Sequence, residues 1–181
     1  MRKQAAIRTS VCVYLFIRNN MILIFEGLVL SFLLLISCVV GKANGAVNMV
    51  FLYEKEIQDR VVELGLIDKN RIQKNKNNFM LFGIIPFFIL LIIFVYVINK
   101  ARGFKEGFIQ LLIILIIEGL FDRLFIDWYW VTKTKDWIIE GTEDLMPYIY
   151  GKTLIQKWLS VIVGYPILAV IISGVMSLIL K

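Results

Sequence analysis

Four runs of apolar residues dominate the chain, at about 21–40, 79–98, 108–125 and 158–180. Roughly 20 apolar residues in a helix cross the ~30 Å hydrocarbon layer of a bilayer. Each run therefore predicts a transmembrane helix. Pro86 falls in the first turns of the second run, where early N–H groups lack partners anyway. Pro166 lies inside the fourth run, and Ser173, Gly174 and Ser177 lie near its end. Gly164, Ala169 and Gly174 are small enough to let a neighbouring helix approach closely.

The polar stretch between the first two runs has its own pattern. Residues 51–67, FLYEKEIQDRVVELGLI, place apolar side chains at 53, 57, 61, 64 and 67, with Glu54, Glu56, Asp59, Arg60 and Glu63 opposite. That is helical spacing. It predicts an amphipathic helix lying on the membrane surface or packed on the other helices. Lys69, Arg71, Lys74 and Lys76 then form a basic collar before the second run. Residues 1–20 carry Arg2, Lys3, Arg8 and Arg18 around a short apolar patch. They read as an extension ahead of a start at Met21, or as an interfacial basic segment leading into the first span. A cleaved signal peptide ranks below both, because 20 apolar residues are long for a signal core. The expected architecture is all-α: a single membrane domain over 1–181, with four transmembrane helices plus an amphipathic interfacial helix.

Composition supports a membrane protein. Of the 181 residues, 59% are hydrophobic and 19% charged, where soluble domains lie nearer half and a quarter. The net charge of +6 does not point to nucleic acid, because the basic residues flank the apolar runs, where they anchor and orient helices. The same charges favour a cytoplasmic side for segments 41–78 and 126–157. Histidine is absent, which removes the commonest general base and metal ligand. Cys12 and Cys38 stand alone in apolar surroundings, forming neither a zinc knuckle nor a redox pair. No cofactor or metal is expected. The abundance of Ile, Lys and Asn fits a bacterial chain, and hence the cytoplasmic membrane.

Candidate chemistry concentrates in the third run, which carries Glu118, Asp122, Arg123 and Asp127 and ends in Asp-Trp-Tyr-Trp. A charge at bilayer depth costs at least about 2.5–3.5 kcal/mol on insertion scales, so each needs a partner or an escape to the headgroups. On an α-helix, Glu118, Asp122, Phe125 and Tyr129 share one face. Arg123 and Asp127 form an i, i+4 pair roughly opposite. The second pair lies beside Trp128 and Trp130, aromatic types that mark the membrane interface, and reads as an interfacial ion pair with its anchors. Glu118, near the bilayer middle, should face the bundle interior. Glu26 in the first run is the other acid at depth. One reading makes Glu118 and Asp122 a proton, cation or metal site completed by Glu140, Glu143 or Asp144 of the following loop. The other has Glu118 hydrogen-bonding a neighbouring helix. In that loop Gly141 permits positive φ and Thr142 can cap the residues after it.

The segment IDWYW, then EGTED, then PYIYGK before the last run resembles a group of small bacterial four-span integral membrane proteins, generally called uncharacterised, with an Asp-Trp followed by a Gly-Thr-Glu turn. Glu140 stands where that group commonly has Pro. The resemblance implies four spans and supplies no activity. The leading expectation is a small multi-pass membrane protein acting through helix packing, lipid contact or a partner, either a second copy or another membrane protein. The alternatives are a membrane enzyme on a lipid-like substrate, using interfacial carboxylates, or a proton- or cation-coupled transport subunit. Against the enzyme, there is no nucleophile elbow and no Gly-rich phosphate loop.

Overall fold

The computed structural model describes the backbone of residues 2–180 and the side chains of residues 20–180, so the basic leader's side chains and Cys12 lie outside the description. Every described element is helical, with no strand. Five helices form the frame: α1 (Arg2–Lys42), α2 (Lys55–Glu63), α3 (Lys69–Ile98), α4 (103–131) and α5 (Gly151–Ile179). Three helical stretches, Asn20–Lys42, Lys69–Ile98 and Gly151–Ile179, are long and apolar enough to cross a membrane. Helix α4 is of similar length but carries Glu118, Asp122, Arg123 and Asp127 in its second half.

The helices outrun the apolar runs. The basic collar is the opening of α3, where Asp68 accepts the N–H of Arg71 at 2.8 Å and so satisfies one of the free donors of the first turn. Helix α5 likewise begins before its apolar run, at Gly151. There a carboxylate from another part of the chain, Glu54, accepts the N–H of Thr153 at 2.7 Å.

Two of these helices widen into i→i+5 turns just ahead of their prolines. Ile85 donates to the Met80 carbonyl and Tyr165 to the Ser160 carbonyl, each one residue before Pro86 and Pro166. Proline disfavours the α conformation in the residue before it and leaves a carbonyl without its donor. Slipping the bonding by one residue is the local repair.

Helix α4 lies between α1 and α5, its main packing partners, and α3 closes the bundle against α1. Away from the loops the core is dry: Leu30, Leu91, Leu111, Ile114, Leu115 and Ala169 are fully buried. Gly119 lets α5 approach, because a Cβ there would stand 2.8 Å from Tyr165 and 3.0 Å from Val161. Large side chains such as Phe82, Val97, Ile162 and Leu178 point outward, each more than 60% exposed.

The other end of the bundle carries a cap. It consists of a 3-10 turn (Ala46–Leu52), helix α2 and the loop 132–150. The amphipathic pattern at 51–67 resolves into that turn followed by α2. Tyr53, Ile57, Val61 and Ile67 are buried as the spacing requires, but Leu64 is 47% exposed because the helix stops at Glu63. The buried face packs on Trp137, Ile139 and Tyr148 of the loop. Trp137 stands edge-on to Trp130 at 4.8 Å and to Tyr53 at 6.5 Å. Lys42, the last residue of α1, lies over both tryptophan rings at 5.4 and 5.3 Å.

Candidate functional site

The charged half of α4 departs from α geometry. From Asp122 to Val131 the backbone is π-helical, and the wider turn changes which residues share a face. Gly119, Arg123, Asp127 and Val131 now align inward, four residues apart, and at Arg123, Asp127 and Val131 exposure is 8% or less. Phe125 and Tyr129 turn outward and stack with Phe121 in a ladder spaced 5.0 and 5.7 Å. The expected face of Glu118, Asp122, Phe125 and Tyr129 is therefore split. The expected separation of Arg123 and Asp127 from Glu118 and Asp122 is also lost: all four line one cavity.

Each charged side chain meets a partner inside that cavity. The Arg123 guanidinium donates to Asp122 and forms an ion pair with Asp127. Lys157 of α5 donates to the second oxygen of Asp127 at 2.8 Å. Tyr165, two turns further along the same face of α5, donates to Glu118 at 2.9 Å. Burial of such charges is tolerable only with close partners, since an uncompensated buried ion costs several kcal/mol. Three carboxylates face two cations.

The other candidates lie elsewhere. Glu26 is buried but accepts from Asn99 at 2.8 Å, at the end of α3. Glu140 is exposed, and Glu143 folds back to accept the Gly141 N–H at 2.9 Å. Neither reaches Asp122. Thr142 caps nothing with its side chain: it is fully buried, donates to the Ile139 carbonyl and meets the Tyr148 hydroxyl at 2.8 Å. Gly141, with φ at +81°, makes the turn that brings this threonine inward. Trp130 is a cap residue, donating from Nε1 to Asp136, whereas Trp128 is 58% exposed. The Trp130 bond, followed by the Lys42 charge, holds the Asp136 carboxyl below its ordinary range.

Sequence reasoning missed Lys157, Tyr165, Tyr53 and Trp137. A Lys and a Tyr eight residues apart on α5 are one signal that was present, since they face an Asp and a Glu nine apart on α4. Tyr53 and Trp137 offered none, because their role depends on the cap closing over the bundle.

The cavity has a volume of about 200 Å³, against the ~10–15 Å³ that one water occupies on this measure. One wall carries the charges. The opposite wall is Leu34, Phe79, Ile84, Phe87 and Phe88 of α1 and α3. Among the described residues, three buried donors at its margin have neither a hydrogen-bond nor an ion-pair partner: the Tyr53 hydroxyl, Trp137 Nε1 and Arg123 Nε. They belong to side chains 3%, 1% and 8% exposed. Burial, then the neighbouring Tyr148, pushes the Tyr53 phenol well above its ordinary pKa, so it remains a donor. Arg123, Asp127 and Ile149 also wall a second, outward-opening pocket of about 510 Å³ between α4 and α5, with Leu124, Trp128 and Trp158. The ion pair is thus the partition between the inner cavity and the outer surface.

No family model, curated protein or solved structure matches the chain.

Proposed function

We propose that the chain is a four-span membrane protein of the bacterial cytoplasmic membrane, with α4 as the further span and the cap at one membrane face. We further propose that it acts by binding the polar head of an amphiphile in the cavity. The observation that carries this is the set of three unpartnered donors at the margin of a chamber that has one charged wall and one apolar wall. An unmade hydrogen bond in a buried site costs about 1–3 kcal/mol, and an oxygen-bearing ligand repays all three. The carboxylates of Glu118, Asp122 and Asp127 disfavour an anionic head, so the fitting group is an uncharged ester, amide or polyol. The apolar wall accepts the first part of its chain. The outer pocket between α4 and α5 supplies access from the lipid side. This deepens lipid contact from a general property of the helices to a defined site.

Two experiments test the reading. In a background lacking Cys12 and Cys38, cysteines placed at the exposed Lys100 and Lys135 should label from opposite sides of a sealed vesicle. Labelling from one side removes α4 as a span. For the site, delipidated protein is titrated with a monoacylglycerol and bound ligand counted by native mass spectrometry. Tyr53→Phe should weaken retention about five- to tenfold, the worth of one hydrogen bond, without lowering the melting temperature. Equal retention by both proteins, or none by the wild type, overturns it.

A further inference from the structure

A second site lies in the groove between α1 and α3, and we propose that it holds an anionic phospholipid. The inference rests on α1 and α3 as spans and is independent of the cavity. The groove has a volume of about 410 Å³ and two unlike ends. At its deep end are Leu33, Ile36 and Phe82, the last two 57% and 73% exposed. At its outer end stand Arg71 and the amides of Asn44, Asn48, Asn75 and Asn78. No acidic side chain lines it. Asp68, the acid closest in sequence to Arg71, is engaged on the Arg71 backbone N–H and lines the adjoining pocket instead.

Geometry and charge together select the occupant. Arg71 and Phe82 are eleven residues apart on one helix, about 16 Å along its axis. That distance runs from a headgroup phosphate, past the glycerol esters, to the first methylenes of an acyl chain. The guanidinium presents planar paired donors suited to phosphate oxygens, and among the described residues it has no carboxylate partner. The Asn44 and Asn78 amides supply further donors for esters, whereas Asn48 spends its amide N–H groups on the Asn44 and Gly45 carbonyls at 2.9 and 3.3 Å. Asn75 donates to both the carbonyl and the side-chain oxygen of Asn48 at 3.1 Å, which ties α3 to the 3-10 turn and fixes the groove mouth. The partial negative end of α1 closes nearby at Lys42, whose ammonium is turned away to Asp136 at 3.6 Å. A zwitterionic lipid would bring a second cation beside Arg71; an anionic lipid would not.

The full-length protein in detergent, offered equal phosphatidylglycerol and phosphatidylcholine, is analysed for retained lipid by native mass spectrometry. The wild type should prefer phosphatidylglycerol at least about fivefold, the scale of one basic residue at a membrane surface. Arg71→Gln should abolish the preference with an unchanged melting temperature, Arg71→Lys should keep most of it, and Tyr53→Phe should leave it intact. Glycerol phosphate at equal concentration should not compete, since it lacks the chain. The proposal falls if Arg71→Gln retains the preference, if glycerol phosphate displaces the lipid, or if Tyr53→Phe removes it and so refers binding to the cavity.

Discussion

The dry bundle core and the cap are held together by different forces. Around Leu91, Leu111 and Leu115 one apolar helix meets another, and in lipid the tails are as good a solvent for those side chains as the neighbouring helix is. Association there depends on close packing, which is why Gly119 lies against Tyr165 and Val161. The cap gathers Tyr53 from one segment and Trp137, Ile139 and Tyr148 from another, and these apolar surfaces leave water when it closes. It also meets its polar groups one by one: Thr142 and the Ile139 N–H converge on the Tyr148 hydroxyl, and Glu54 on Thr153. The lesson is that the cavity sits where the two regimes meet. Polar groups need partners there, but the partners come from opposite sides of a boundary, and some donors are left over.

Substitutions can break this contrast. The largest effect is expected from Trp137→Ala, which empties the centre of the cap and should cost about 3–5 kcal/mol in reversible unfolding in detergent. Arg123→Gln should approach it, because Asp122 and Asp127 then lose their shared cation inside the cavity; breaking a buried pair costs about 3–5 kcal/mol. If a loss below about 1 kcal/mol were found, the cluster would be wetter than its burial implies. In the bundle, Leu115→Ala should cost only about 1–3 kcal/mol, the cavity term without full transfer from water. A loss matching Trp137→Ala would show that the two regions do not differ. Tyr148→Phe should cost about 1–3 kcal/mol, because it strands Thr142 and the Ile139 N–H, while Tyr53→Phe should be neutral. Smallest is Asp136→Asn. The lowered Asp136 carboxyl stabilises the fold above its ordinary value of 3.8, and this is lost as pH falls through the lower folded value. The asparagine variant should therefore show a flatter acid limb of its melting temperature against pH, with little change at neutrality.

Much of the frame was legible. Each apolar run lies within or largely overlaps a helix, and the spacing at 53, 57, 61 and 67 named buried positions of the cap. The helix ends were less legible, because a cap residue such as Glu54 acts on Thr153 from 99 positions away. At the site, Glu118, Asp122, Arg123 and Asp127 were found as candidates, but their division into two faces assumed an α-helix. The one-residue slip after Phe121 erased that division. Glu140 and Glu143 were grouped with them by sequence proximity and proved to belong to a turn of their own.

What the sequence determined by itself is that this chain makes long apolar helices and that one of them carries charges it cannot leave alone. Hydropathy and backbone bonding are local, so they are written in consecutive residues. Only the tertiary structure decided which way those charges point and what answers them. The π turn after Phe121 is not written in the apolar pattern, and Asp127 beyond it meets Lys157 on α5 while Glu118 before it meets Tyr165. The donors that remain unanswered, on Tyr53, Trp137 and Arg123, meet only after that assembly is complete.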